Sequence, residues 1–207
     1  MSHGVVPKQV AEGTRLGLAP VARRIVALGV SANAVTLLGG ALTCIGAALL
    51  AMNMPLAALV ALAVGTLADT LDGQVAKASG GGTAFGAFLD STIDRLSDAA
   101  LFIGTVLLAA TTGQAALLWW GLVALTSSFL VSYVRAKGES MGVGASVGPA
   151  PREARIVIFL LGLAAWALFD LQLAFTAAVL IVALLSSVTL LVRVVHVGRQ
   201  LSTKGGR

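Results

Sequence analysis

Apolar residues dominate this chain in long stretches that show neither a strand-like alternation nor a polar stripe, the pattern of helices surrounded by lipid rather than water. Six such stretches are expected to be membrane-spanning helices, at about 34–52, 56–76, 84–110, 115–137, 153–170 and 172–197. Between them lie short breaks with turn chemistry: Asn53-Met54-Pro55, Gly80-Gly81-Gly82, Thr111–Gln114, a longer segment from Gly138 to Pro151, and Asp170 to Gln172. The first 33 residues differ, because Lys8, Arg15, Arg23 and Arg24 are set among Val, Leu and Ile. That mixture predicts an amphipathic juxtamembrane helix lying on an anionic surface. The expected fold is all-α: an integral membrane protein of six transmembrane helices preceded by that amphipathic helix. Three regions follow, a juxtamembrane helix (1–33), a six-helix domain (34–200) and a basic tail (201–207).

Composition agrees, with 57% hydrophobic residues, only 11% charged and a mean hydropathy of +0.95. A water-soluble surface needs more charge, and the apolar stretches are too many for a signal peptide. The fourteen Lys and Arg lie in the N-terminal segment, near 76–95, around 135–155 or after 192, and none falls at 53–55, 111–114 or 170–172. By the positive-inside rule both termini face the cytoplasm, which makes this a multi-pass protein of the plasma (cytoplasmic) membrane. The same rule places Trp119, Trp120 and Trp166 as interfacial anchors on the opposite side. Cys44, the single cysteine, reads as a small core residue, and His196 as an interfacial one. Nucleic acid is not expected as a partner.

Five of the six aspartates fall between residues 69 and 98. Asp69 and Asp72 share a face of the second span; Asp90, Asp94 and Asp98 recur every four residues on the third. The glycine turn makes those spans an antiparallel hairpin, so the two acidic faces can converge. Each carboxylate costs roughly 2.5–3.5 kcal/mol to insert, and Lys77 and Arg95 are too few to neutralise five. All-oxygen ligands select hard cations, Mg²⁺ first and then Mn²⁺ or Ca²⁺. Two such ions suit phosphoryl chemistry, whereas a cation or proton relay in a transporter is the competing use of the same residues.

The spacing separates these readings. From Asp69 the chain runs Asp-x-x-Asp-Gly-x-x-Ala-Lys, then eight residues to Gly86, three to Asp90 and three to Asp94. This resembles the signature of the CDP-alcohol phosphotransferases, with Lys77 where that family normally has Arg. The resemblance implies an enzyme that takes CDP-diacylglycerol as donor, releases CMP and works as a homodimer among membrane lipids. It implies metal coordination by Asp69, Asp72, Asp90 and Asp94, with Asp94 also the general base. It implies donor binding by Gly73, Ala76, Lys77 and Gly86, and by Asn33, which follows Ala32 where relatives often have Pro. Close helix packing is an equally natural use of the small residues. Ser31 and Asn33 are both candidate caps for the first span.

Ser132, Arg135, Lys137, Arg152, Arg155 and Arg193 lie at the cytoplasmic level of the aspartates, and converging cations there would receive a phosphorylated alcohol. The 80–98 segment and the 132–137 segment look like those of the bacterial phosphatidylinositol phosphate synthases, with Arg135 and Lys137 in reversed order. That likeness implies an inositol phosphate acceptor bound by Ser132, Arg135, Lys137, Arg155 and Arg193. Phosphatidylglycerol phosphate synthesis, with glycerol phosphate as acceptor, is the alternative within the family.

Overall fold

Every predicted stretch becomes a helix and every polar seam a turn. The computed structural model describes residues 8–204, with side chains from Leu18 to Thr203. Among the described residues there are seven α-helices and no strand: α1 (Lys8–Ala27), α2 (Ala32–Ala51), α3 (Pro55–Ala78), α4 (Ala84–Thr112), α5 (Ala115–Ser140), α6 (Arg152–Phe169) and α7 (Gln172–Lys204). Helices α2 to α7 coincide with the six expected stretches, and α1 occupies the N-terminal segment.

Four of them, Ala32–Ala51, Pro55–Ala78, Ala115–Ser140 and Gln172–Thr203, are long and apolar enough to cross a membrane, which marks this as a membrane protein. Helices α4 and α6 fall outside that set for a chemical reason. Asp90, Asp94, Arg95 and Asp98 crowd the first half of α4, and Arg152, Glu153 and Arg155 open α6.

The chain divides into two units, residues 8–104 and 105–204 of the described chain. In the first, α2 packs along α3 through small residues. A Cβ on Gly39 would sit 3.2 Å from both Ala68 Cβ and the Gly65 carbonyl. Of the two candidate caps, Ser31 serves: its hydroxyl accepts from the Ala34 amide at 3.2 Å. Ala22 of α1 is buried with Val35, Ala68 and Val75, so the end of the N-terminal helix is held by α2 and α3. Arg23 and Arg24 are exposed beside it. The side chains of Lys8 and Arg15 lie outside the described residues. Gly80 and Gly81 take φ of 98° and 122°, which L side chains resist, and this lets the chain reverse from α3 into α4.

In the second unit α5 and α6 pack against α7. Ser128 and Ser186 hydrogen-bond across α5 and α7 at 3.2 Å, both buried. Phe175 meets Phe159 edge-on at 5.2 Å and stacks on Trp166 at 5.5 Å. Trp166 is therefore a core residue and not the interfacial anchor expected of it: its ring fills the space between α6 and α7, where only 6% of the residue stays exposed. Trp119 is 66% exposed. The segment 201–204, expected as a tail, continues α7, since nothing in Leu201–Lys204 breaks a helix before Gly205.

Gly104 offers a direct test of the packing. A Cβ there would collide with the backbone carbonyl of Ala47, which cannot swing aside as a side chain could. Gly104→Ala gains up to about 1 kcal/mol of helix propensity but incurs an overpacking cost of roughly 1–3 kcal/mol. The expected net result is a lower melting temperature, measured by thermal unfolding in detergent.

Candidate functional site

The first unit gathers the acidic residues. Each of Asp69, Asp90 and Asp94 offers a carboxylate oxygen, and the three oxygens lie within 4.8 Å of one another. Asp69 comes from α3 and the others from α4, so the glycine turn does bring the two acidic faces together. Oxygens bound 2.0–2.6 Å from a common hard cation are at most about 5 Å apart, so these three are close enough to form a site for one. Arg95 Nη1 stands 3.6 Å from Asp94 Oδ2, beyond hydrogen-bond range. Asp98 sits one turn further along α4 and is not one of the three.

Asp72 is placed differently. It is buried, and the Thr36 hydroxyl stands 2.6 Å from its Oδ2 and 3.1 Å from the Ala32 carbonyl. One proton serves one acceptor well, and the closer, charged carboxylate takes it. Thr36 thus fixes the orientation of Asp72 from the neighbouring helix. The spacing of the aspartates gives no hint of this partner; its only sign in the sequence is a hydroxyl one turn after Asn33 on the same helix.

A cavity of about 610 Å³ opens beside these residues. Helix α2 contributes Asn33 and Thr36, α3 contributes Asp72, Gly73, Ala76 and Ser79, and the turn and α4 contribute Gly81, Gly82, Thr83, Gly86 and Asp90. Four of the five residues expected to bind a donor, Asn33, Gly73, Ala76 and Gly86, therefore line one space, whereas Lys77 is exposed and is not part of the lining. The glycines separate by role. A Cβ on Gly73 would meet nothing within 4 Å, so helix packing does not require a glycine there. A Cβ on Gly86 would stand 3.1 Å from both Asn33 Oδ1 and Thr83 Oγ1, so its smallness makes room for polar groups of the cavity wall. Ser79 and Thr83 add hydroxyls that the spacing argument did not single out.

The basic residues belong to the second unit. Arg135 and Lys137 are exposed near the end of α5, and Arg135 Nε donates to Glu139 at 2.9 Å. Ser132 is half-buried one turn earlier, and Arg155 is buried in the first turn of α6. Arg193 is buried too, and it donates from Nε to the Val147 carbonyl and from Nη1 to the Val131 carbonyl, both at 2.9 Å. Two of its five N–H donors are thus committed to the backbone.

Comparisons with known proteins bear on what this arrangement does. The model of the CDP-alcohol phosphatidyltransferase family matches residues 29–199. An archaetidylinositol phosphate synthase from Methanothermobacter thermautotrophicus is 38% identical over 182 residues, 88% of this chain and 89% of the relative. The phosphatidylinositol phosphate synthase of Corynebacterium glutamicum is 39% identical over 165 residues, 78% of this chain and 72% of the relative. Crystal structures of the Mycobacterium tuberculosis phosphatidylinositol phosphate synthase are similar in fold. Its complex with manganese and citrate aligns with a TM-score of 0.81 at 31% identity, covering 87% of this chain and 88% of that one. The form with CDP-DAG bound gives 0.79 at 32%, covering 87% and 92%.

Thr36→Val keeps the shape of the side chain and removes the hydroxyl that Asp72 accepts from. The expected cost is roughly 1–3 kcal/mol of stability, the penalty for a buried acceptor losing its donor, measured by thermal unfolding without divalent metal.

Proposed function

The chain belongs to the CDP-alcohol phosphatidyltransferase family, and from that premise we propose that it transfers a phosphatidyl group from CDP-diacylglycerol to an inositol phosphate hydroxyl. The observation that carries this reading is the convergence of Asp69, Asp90 and Asp94 beside the cavity that Asp72, Gly73 and Gly86 line. The named relatives share the inositol phosphate part of their products and differ in the lipid part, archaetidyl in one and phosphatidyl in the other. They support inositol phosphate over glycerol phosphate as acceptor, and a transferase over a transporter. The whole chain is read as a homodimeric enzyme of the plasma membrane, with six spans, both termini cytoplasmic and α1 lying on the membrane surface.

In this reading Asp69, Asp72, Asp90 and Asp94 hold divalent metal, two Mg²⁺ ions replaceable by Mn²⁺, which supplies positive charge to the pyrophosphate oxygens of the donor. Asn33, Gly73, Ala76 and Gly86 admit the nucleotide part of the donor, and Lys77 offers charge at the rim. Ser132, Arg135, Lys137, Arg155 and Arg193 receive the phosphate of the acceptor. Asp94 takes the proton from the attacking hydroxyl as its oxygen bonds to the phosphorus that carries the lipid. The phosphorus–oxygen bond to CMP then breaks, and CMP leaves with the electron pair.

Purified protein given CDP-diacylglycerol and Mg²⁺ is expected to release CMP only when inositol phosphate is added. Asp94→Asn is expected to abolish release, and chelation of the metal to stop it reversibly. Release driven by glycerol phosphate instead would move the acceptor assignment. No release with either would overturn the reading. Gly73→Ala separates cavity from packing: it should raise stability by up to about 1 kcal/mol while raising KM for the donor, because the added methyl enters only the cavity.

A further inference from the structure

The loop between α5 and α6, residues 141–151, has no regular structure, and among its mostly exposed residues three are turned into the protein. Val143, Ala145 and Ala150 are each at most 4% exposed. Where irregular backbone turns inward its polar groups need hydrogen-bond partners that the helix ladders cannot supply. Here α7 supplies them from side chains. The Thr189 hydroxyl accepts from the Ala150 amide at 3.3 Å, Arg193 Nε donates to the Val147 carbonyl at 2.9 Å, and His196 Nε2 stands 3.1 Å from the Gly144 carbonyl. A carbonyl only accepts, so His196 carries its proton on Nε2. The three residues are spaced four and three apart, which places them on one face of α7, and they take hold of the loop at successive points along it. The fit is close as well as polar: Gly148, with φ of 120°, lies so near Thr189 that a Cβ there would meet its Cγ2 at 2.5 Å.

What this loop joins gives the contacts their meaning. At one end is α5, with Ser132, Arg135 and Lys137; at the other is the first turn of α6, with Arg155. Arg193 also holds the Val131 carbonyl, in the residue before Ser132. We propose that Thr189, Arg193 and His196 are positioning residues. By fixing the 141–151 loop to α7 they set the separation between the phosphate-binding groups of α5 and those of α6, and so the affinity for the phosphorylated acceptor. The proposal rests on the acceptor reading given above. It adds the loop contact to the part Arg193 plays at the acceptor site, and it gives His196 and Thr189 a part in acceptor binding that neither spacing nor burial alone would give.

The test uses the full chain in lipid nanodiscs, with Thr189→Val, His196→Leu and His196→Gln. KM for inositol phosphate, KM for CDP-diacylglycerol and kcat are measured together, and amide hydrogen exchange is followed across 141–151. Thr189→Val keeps the branched shape against Gly148, and His196→Gln keeps an N–H able to reach the Gly144 carbonyl. Thr189→Val and His196→Leu are expected to raise the acceptor KM about fivefold, the usual effect of losing one hydrogen bond, with donor KM and kcat within about twofold. Exchange in the loop should quicken in both, and His196→Gln should restore both readouts. A general loss of stability would move both KM values and kcat together. That outcome overturns the proposal, as does faster loop exchange with an unchanged acceptor KM, or unchanged exchange. If the wild-type protein uses only glycerol phosphate, the acceptor assignment fails, and the same split read with that substrate still decides the brace.

Discussion

Carboxylates in helices that leave water must be compensated, and between residues 69 and 98 this chain carries five with only Lys77 and Arg95 for countercharge. Arg95 Nη1 stands 3.6 Å from Asp94 Oδ2, and Lys77 is exposed. The structure concentrates the carboxylates, drawing oxygens of Asp69, Asp90 and Asp94 within 4.8 Å of one another. Mutual repulsion at that distance makes sense for a site that a hard cation completes. The remainder of the first unit follows from holding that arrangement. The tight Gly80-Gly81 turn places α3 against α4, and small residues let α2 come close enough for Thr36 to hold Asp72.

The same economy of volume explains the cavity. In a membrane helix bundle, glycine and alanine commonly serve close packing, and Gly39 and Gly104 do so here. Gly73 does not, since nothing in the protein approaches it, and it opens onto the space beside Asp72. Glycine in a helix lowers stability by up to about 1 kcal/mol relative to alanine. A helix that keeps one where packing does not ask for it has kept room for something else.

How much of this the sequence disclosed depended on the kind of signal. Helix positions were legible because uninterrupted apolar stretches and short glycine or proline seams admit little else, and α2 to α7 fall where those stretches do. The convergence of Asp69, Asp90 and Asp94 was legible from i,i+3 spacing before a tight turn and i,i+4 spacing after it. Contacts made between elements were not. Thr36 is an ordinary threonine until α2 meets α3, and the Thr189, Arg193 and His196 face gains its meaning from a loop far away in sequence. Trp166 misled because tryptophan near a helix end suits an interface, and only the facing Phe175 makes it core. Arg193 was singled out by charge and level alone, and the two backbone carbonyls it also holds could not be read from the sequence.

The central claim is that the carboxylates of α3 and α4 exist to hold divalent cations. Electron paramagnetic resonance of Mn²⁺ titrated into the nanodisc-embedded protein tests it most directly, with no substrate present. The account predicts saturable loss of the free-ion signal, ending at two ions per chain, and no such loss in a variant in which Asp69 and Asp90 are both Asn. A free-ion signal unchanged by the wild-type protein, or reduced equally by that variant, would contradict it.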